Sequence, residues 1–292
     1  MAPEFGSGPA PRGKALAGTR LAAIRARLER FEPRPGPMAW LYEFVLFGIK
    51  QAWACLFGGL MLALLLATHL WYPPQAALAR YDALTLAAVA IQCGMLALRL
   101  ETLDEAKVIL AFHVVGTVME LFKTAVGSWH YPEPAMLRIG GVPLFSGFMY
   151  AAVGSYIARV WRILDFRFSG FPPLGWAWIL AVAIYVNFFA HHWIVDLRLV
   201  LFAALGLIFA RTRIHFTVWR VERWMPLLLG WLLVALFIWF AENLGTFSRA
   251  WLYPDQREGW HLVSWTKLGA WYLLMYISFM LVSAVHGIRR ES

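Results

Sequence analysis

Charge is scarce in this chain. Of its 292 residues only 15% are Asp, Glu, Lys or Arg, where a soluble domain carries about 25%. That leaves too little polar surface for a water-soluble globule. With 61% hydrophobic residues and a mean hydropathy of +0.60, the composition is that of a polytopic membrane protein. Cysteine is nearly absent: Cys55 and Cys93 both sit inside apolar runs, as packing residues with no disulfide framework to build. Acidic residues are outnumbered, 17 against 26 Lys and Arg, for a net charge of +9. That surplus does not call for nucleic acid, because membrane proteins collect cations in their cytoplasmic loops. Missing too are the P-loop, the Rossmann glycine pattern, Gly-x-Ser-x-Gly and HExxH.

What is present is a stretch that occurs twice. Glu120, Thr124, Trp129, Tyr131, Pro132 and Glu133 are matched by Glu242, Thr246, Trp251, Tyr253, Pro254 and Asp255, each pair 122 residues apart. The same offset carries His69 and Trp71 onto His191 and Trp193, and Gly147 and Tyr150 onto Gly269 and Tyr272. An ungapped register kept at such residues reads as an internal duplication.

Taken in order, residues 1–14 are rich in Gly and Pro and are expected to be disordered. Residues 15–31 set Leu21, Ile24 and Leu28 against Arg20, Arg25, Arg27 and Arg30, the pattern of an amphipathic helix on a membrane surface. Eight apolar segments follow, at 48–70, 83–100, 106–126, 142–163, 174–195, 197–212, 225–245 and 265–287. Each is near the ~20 residues a helix needs to cross a bilayer, the sixth being short. Arg99, Lys107, Arg159, Arg162, Arg167, Arg211, Arg213, Arg220, Arg223, Arg289 and Arg290 share one set of connections with the basic N-terminus. By the positive-inside rule both termini are then cytoplasmic. The expected fold is all-α: a polytopic transmembrane bundle of about eight helices, arranged as two parallel four-helix repeats. The expected divisions are 1–44, 45–165 and 166–292.

Both Trp-x-Tyr-Pro corners then fall on the outer side, where Trp and Tyr anchor at the interface and proline stops a helix. Glu120 and Glu242 precede the corner tryptophans by nine residues, roughly 10 Å or more below the interface at ~1.5 Å per residue. A carboxylate at that depth faces a bundle interior or a watery cavity. Lys123 could pair with Glu120 on the same helical face, but Gly245 stands at the matching place in the second copy. The expectation is one outward-opening cavity with Glu120, Glu242 and His191 as acid–base groups. Asn187, His192, Trp129, Tyr131, Asn243, Trp251, Tyr253 and His69 are the expected substrate contacts. Glu120, Glu242, His69 and His191 could also hold a metal such as zinc, although each helix offers only one ligand.

Several stretches resemble an uncharacterised bacterial integral-membrane family, domain of unknown function 817. They are Leu103 to Val108, Met119 to Lys123, Gly127 to Pro132, Gly141 to Tyr150, Asn187 to His192 and Ala241 to Asn243. The resemblance runs from about residue 45 to the C-terminus and implies a bacterial inner membrane, but no reaction. A looser similarity, E-x8-W-x-Y alone, connects the corners to carotenoid hydratases and small membrane lycopene cyclases. Three functions remain open from the residues: a membrane-embedded enzyme acting on a hydrophobic small molecule, a proton- or cation-coupled transporter, and a structural or accessory membrane protein. The lipid bilayer is the expected partner in each.

Overall fold

A computed structural model describes residues 36–289. The amphipathic stretch expected at 15–31, and most of the expected first division 1–44, lie outside the described residues. The chain is mostly helical: α1 (Pro37–Ala54), α2 (Leu56–Trp71), α3 (Arg80–Ala97), α4 (Leu103–Ala125), α5 (Phe145–Leu164), α6 (Leu174–Ala190), α7 (Arg198–Phe209), α8 (Leu227–Phe247) and α9 (Trp265–His286).

Three of these, α4, α8 and α9, are long and apolar enough to cross a membrane. The pair α1–α2, bent by 68° at Cys55, makes a fourth if it is one span. α3 and α5, with 18 and 20 residues, are long enough but less apolar, while α6 and α7 are shorter apolar helices of 17 and 12 residues. The outer faces are greasy: Leu110, Val114 and Val118 form an exposed stripe at four-residue spacing along α4. Such a stripe suits lipid rather than water.

Two small sheets depart from the expected all-α fold. β1 (Arg138–Ile139) and β2 (Val142–Pro143) form a hairpin whose turn residues, Gly140 and Gly141, both have positive φ, 54° and 86°. Only glycine takes that conformation without strain. β3 (Arg167–Ser169), β4 (Arg213–Thr217) and β5 (Glu222–Pro226) form an antiparallel ribbon in the stretches expected to be charged loops. Alternation along Arg213-Ile-His-Phe-Thr217 buries Ile214 and Phe216 and turns Arg213 outward, the period of a strand with one covered face.

The helices that carry the acids are fixed at both ends. α4 starts at a capping box: Thr102 Oγ1 accepts from Glu105 N at 3.2 Å, and the Glu105 carboxylate accepts from Thr102 N at 2.8 Å. It ends in a six-to-one lock, with Ser128 N donating to Lys123 O at 2.9 Å and Gly127 N to Thr124 O at 3.1 Å. α8 ends the same way, Ala250 N donating to Gly245 O and Arg249 N to Thr246 O, both at 3.0 Å. The residue in the left-handed conformation is Gly127 in one (φ 75°) and Arg249 in the other (φ 55°). α4 and α8 end 122 residues apart, at Ala125 and Phe247, and so do α5 and α9, at Leu164 and His286. α2 packs on α5 and α6 on α9; α4 packs on α5 and α8 on α9. Beyond the two locks the chains meet in a reciprocal backbone bridge: His130 N donates to Leu252 O, and Leu252 N to His130 O, both at 3.0 Å.

The opposite end is held by ion pairs. Arg159, fully buried on α5, donates to Glu101 Oε1 at 2.8 Å, and Ser155 donates to the same oxygen at 2.9 Å. Arg162 donates to Glu105 Oε1 at 2.9 and 3.1 Å. Between these regions lies a core of packed rings in which Trp161 stacks on Phe279, centroids 5.3 Å apart.

Candidate functional site

A cavity of about 900 Å³, lined mostly by apolar side chains, runs through this frame. It reaches from Ser128 and Trp251 at the corners to Phe166, Phe216 and Met225 beside the β3–β5 ribbon. Glu120 and Glu242 both line it, and both are buried, 5% and 4% exposed.

The carboxylate of Glu120 is enclosed by donors. Trp129 Nε1 at 2.7 Å and Tyr131 OH at 2.6 Å donate to Oε2, and Tyr150 OH donates to Oε1 at 2.9 Å. Glu242 accepts one O–H, from Tyr253, and one indole N–H, from Trp271. A hydrogen bond to a charged group contributes about 1.5–3 kcal/mol. A carboxylate at the membrane centre costs about 2.5–3.5 kcal/mol on insertion scales. Two or three such bonds are therefore enough to offset the cost, and Glu242 also lies within electrostatic range of Lys267. Lys123 does not pair with Glu120; its ammonium lies 3.0 Å from His192 Nε2 and 4.2 Å from the centre of the Phe188 ring. Tyr131 and Tyr253 have their phenol pKa pushed well above the usual range, first by burial and then by the neighbouring glutamates. They stay protonated and act as donors, not bases.

The two copies use their tryptophans differently. Trp129 turns its N–H to Glu120, whereas Trp251 lies flat against α8, where a Cβ on Gly245 would collide with its six-membered ring. Gly245 thus makes room for a ring at the place where the first copy has Lys123. The indole donor of Glu242 comes instead from Trp271 on α9.

Other expected residues divide by location. Asn187 and His191 line the cavity. His191 Nδ1 lies 2.9 Å from the Asn187 carbonyl, to which it donates, so its Nε2 is left as the acceptor nitrogen. The Asn187 side chain also clamps the α6–α7 connection, accepting from Leu197 N at 3.0 Å and donating to Asp196 at 3.3 Å. His192 stacks 4.2 Å from His191. Asn243 ties α8 to the chain before α9, accepting from Val263 N at 2.9 Å and donating to Trp239 O at 2.8 Å, and it does not line the cavity. His69 packs 5.6 Å from Phe247, also outside the lining. Among the described residues no group of three or more His, Cys, Asp or Glu is gathered for a metal. Tyr150, Trp271 and Lys267 are additional cavity residues. Of these only Tyr150 carries a signal, its match to Tyr272 across the 122-residue offset.

Apolar helices long enough to span, around a buried acid-bearing cavity, define the class: a helical protein of membrane character. The family described as "Protein of unknown function (DUF817)" matches residues 43–279, and the chain belongs to it. "Uncharacterized protein YoaT" of Bacillus subtilis (strain 168) is 41% identical over 255 residues, 87% of this chain and 96% of that relative. No solved structure matches the chain.

Proposed function

We propose that this is a multi-pass protein of a bacterial inner membrane, both termini cytoplasmic, that carries out acid–base chemistry on a hydrophobic, lipid- or isoprenoid-like substrate. In this reading residues 45–165 and 166–292 are parallel four-helix repeats about a pseudo-twofold axis along the membrane normal. Support comes from the equal spacing of helix ends, the paired six-to-one locks and the reciprocal His130–Leu252 bridge. The Arg-rich connections around Arg211, Arg213, Arg220 and Arg223 support the orientation, and the Bacillus relative supports the bacterial setting.

The observation that carries the reading is the pair of buried carboxyls, Glu120 and Glu242, each held by phenol and indole donors and both opening on one apolar cavity. One carboxyl delivers a proton to the substrate and the other removes one, with His191 as a relay at the cavity wall. Trp129, Tyr131, Asn187, Trp251 and Tyr253 shape and hold the substrate; His192, Asn243 and His69 support the walls. The test is to incubate the purified protein with host lipid extract and follow conversion by mass spectrometry. Conversion by the wild type, lost in Glu120→Gln and in Glu242→Gln while both variants stay folded, is expected. Conversion that persists in both variants would remove the acid–base role.

The length of the cavity, from corner to ribbon, favours a second reading, a proton- or cation-coupled transporter. Flux across proteoliposomes that stops in the same two variants, without chemical conversion of the solute, would select it.

A further inference from the structure

We infer that the substrate is an amphiphile with one anionic head group, carboxylate or phosphate, bound by Lys123 and Lys267, its tail lying along the apolar part of the cavity. This rests on the reading of the cavity as a substrate site.

Both lysines line the cavity, one from the last turn of α4 and the other from the first turn of α9. Lys123 is 4% exposed, and it meets only the imidazole of His192 and the rings of Phe188 and Phe122. Lys267 rests over the ring of Tyr253, 4.1 Å from its centre. Neither ammonium forms an ion pair with a carboxylate among the described residues. The acids beside them are occupied by tyrosine and tryptophan donors. Arg198, which also lines the cavity, is already paired with Asp196 at 2.5 Å. The two lysines and Arg198 are close enough to repel one another, and the carboxylates within electrostatic range, Glu242 and Asp255 for Lys267 and Asp196 for Lys123, stand beyond ion-pair distance.

Unpaired cations in an apolar, water-poor wall are costly and mark substrate or ion pathways. A structural account covers Lys123 in part, since a cation is favoured at a helix C-terminus. It is weaker for Lys267, which feels Glu242 and Asp255 without pairing with either and stands at a helix N-terminus, where its charge adds to the helix's own partial positive charge. An anion placed between the two satisfies both, and the helix end as well. Most of the remaining lining, from Gly58 and Leu62 to Phe237 and Met225, is apolar and takes a hydrocarbon chain. The cavity lies at the upper part of the ~300–1,000 Å³ range usual for small-molecule sites.

The probes are oleate and oleyl phosphate against oleyl alcohol, which has the same chain and a neutral head. Binding to the purified protein in neutral detergent is measured by titration calorimetry. Both anions should bind at least tenfold tighter than the alcohol. Lys123→Gln and Lys267→Gln should each weaken the anions about tenfold or more and leave the alcohol within twofold; Lys→Arg at either position should restore binding. Lys267 is less deeply buried than Lys123, so its Gln variant stays informative if Lys123→Gln does not fold. Equal binding of alcohol and anions, or anion binding indifferent to the lysines, would overturn the inference. Anion binding that depends on the lysines, in a protein whose conversion ignores Glu120→Gln and Glu242→Gln, would leave the head-group site standing and remove the acid–base reading. The reverse pattern would do the opposite.

Discussion

Trp129 stands edge-on to Tyr253, their ring centres 6.1 Å apart. The first donates to Glu120 and the second to Glu242, so the contact joins the two acids through their donors. A second link runs from Tyr150 on Glu120 to Trp271 on Glu242, ring centres 6.3 Å apart. The two carboxyls are thus bridged twice by aromatic donors in contact, with no cation paired to both.

Gly245 has room for no side chain. Gly245→Ala should drive its methyl into the Trp251 ring and destabilise the protein by about 1–3 kcal/mol, as overpacking does. Gly94→Ala on α3, with open space around it, is the control and should stabilise by up to about 1 kcal/mol from helix propensity. Thermal midpoints in detergent, compared with wild type, distinguish the two.

Removing one partner of a buried ion pair is costly. Glu101→Gln leaves the fully buried Arg159 without its carboxylate and should cost about 3–5 kcal/mol. Replacing both residues by apolar side chains, Glu101→Leu with Arg159→Met, should recover most of that loss. Chemical denaturation of the three proteins measures it.

High pH should weaken the fold through two phenols. Tyr131 and Tyr253 titrate well above their unfolded value of about 10, burial being the larger cause. Their protonated state stabilises the fold fully below about pH 10, and that contribution falls as pH rises from there toward the folded value. Tyrosinate absorbance should show at least two phenols that ionise only on unfolding. Tyr131→Phe and Tyr253→Phe should each remove one and flatten the alkaline limb of stability.

Orientation has a direct readout. A reporter fused after Arg223 or at the C-terminus should read cytoplasmic, and one near Arg257 should read periplasmic. A cytoplasmic signal near Arg257 would turn the cavity's corner end inward.

Much of the site is legible in the repeat, because Glu, Trp, Tyr and Pro kept at one offset single out the corners before any coordinates. The ends of the acid-bearing helices are legible to within two residues, 126 and 245 expected against Ala125 and Phe247, although nothing in the letter Arg249 announces its left-handed conformation. What eludes sequence is which copy does what. Trp129 and Trp251 are identical as letters, yet one reaches a carboxyl and the other packs on a helix at Gly245. Tyr150 and Trp271 reach the acids from the next helix, a tertiary contact that no local spacing encodes. Asn243, next to Glu242 in sequence, faces elsewhere because neighbours on a helix are turned about 100° apart. The break at Cys55 has no proline to announce it, so 48–70 reads as one span when it is part of two helices.

The reciprocal bridge between His130 and Leu252 acts as a crossbolt. Prising the corners apart would break two backbone hydrogen bonds at once, about 0.5–1.5 kcal/mol each, together with the Trp129–Tyr253 contact. The helix ends beneath it are locked, and bridge and locks together form one roof over the acids.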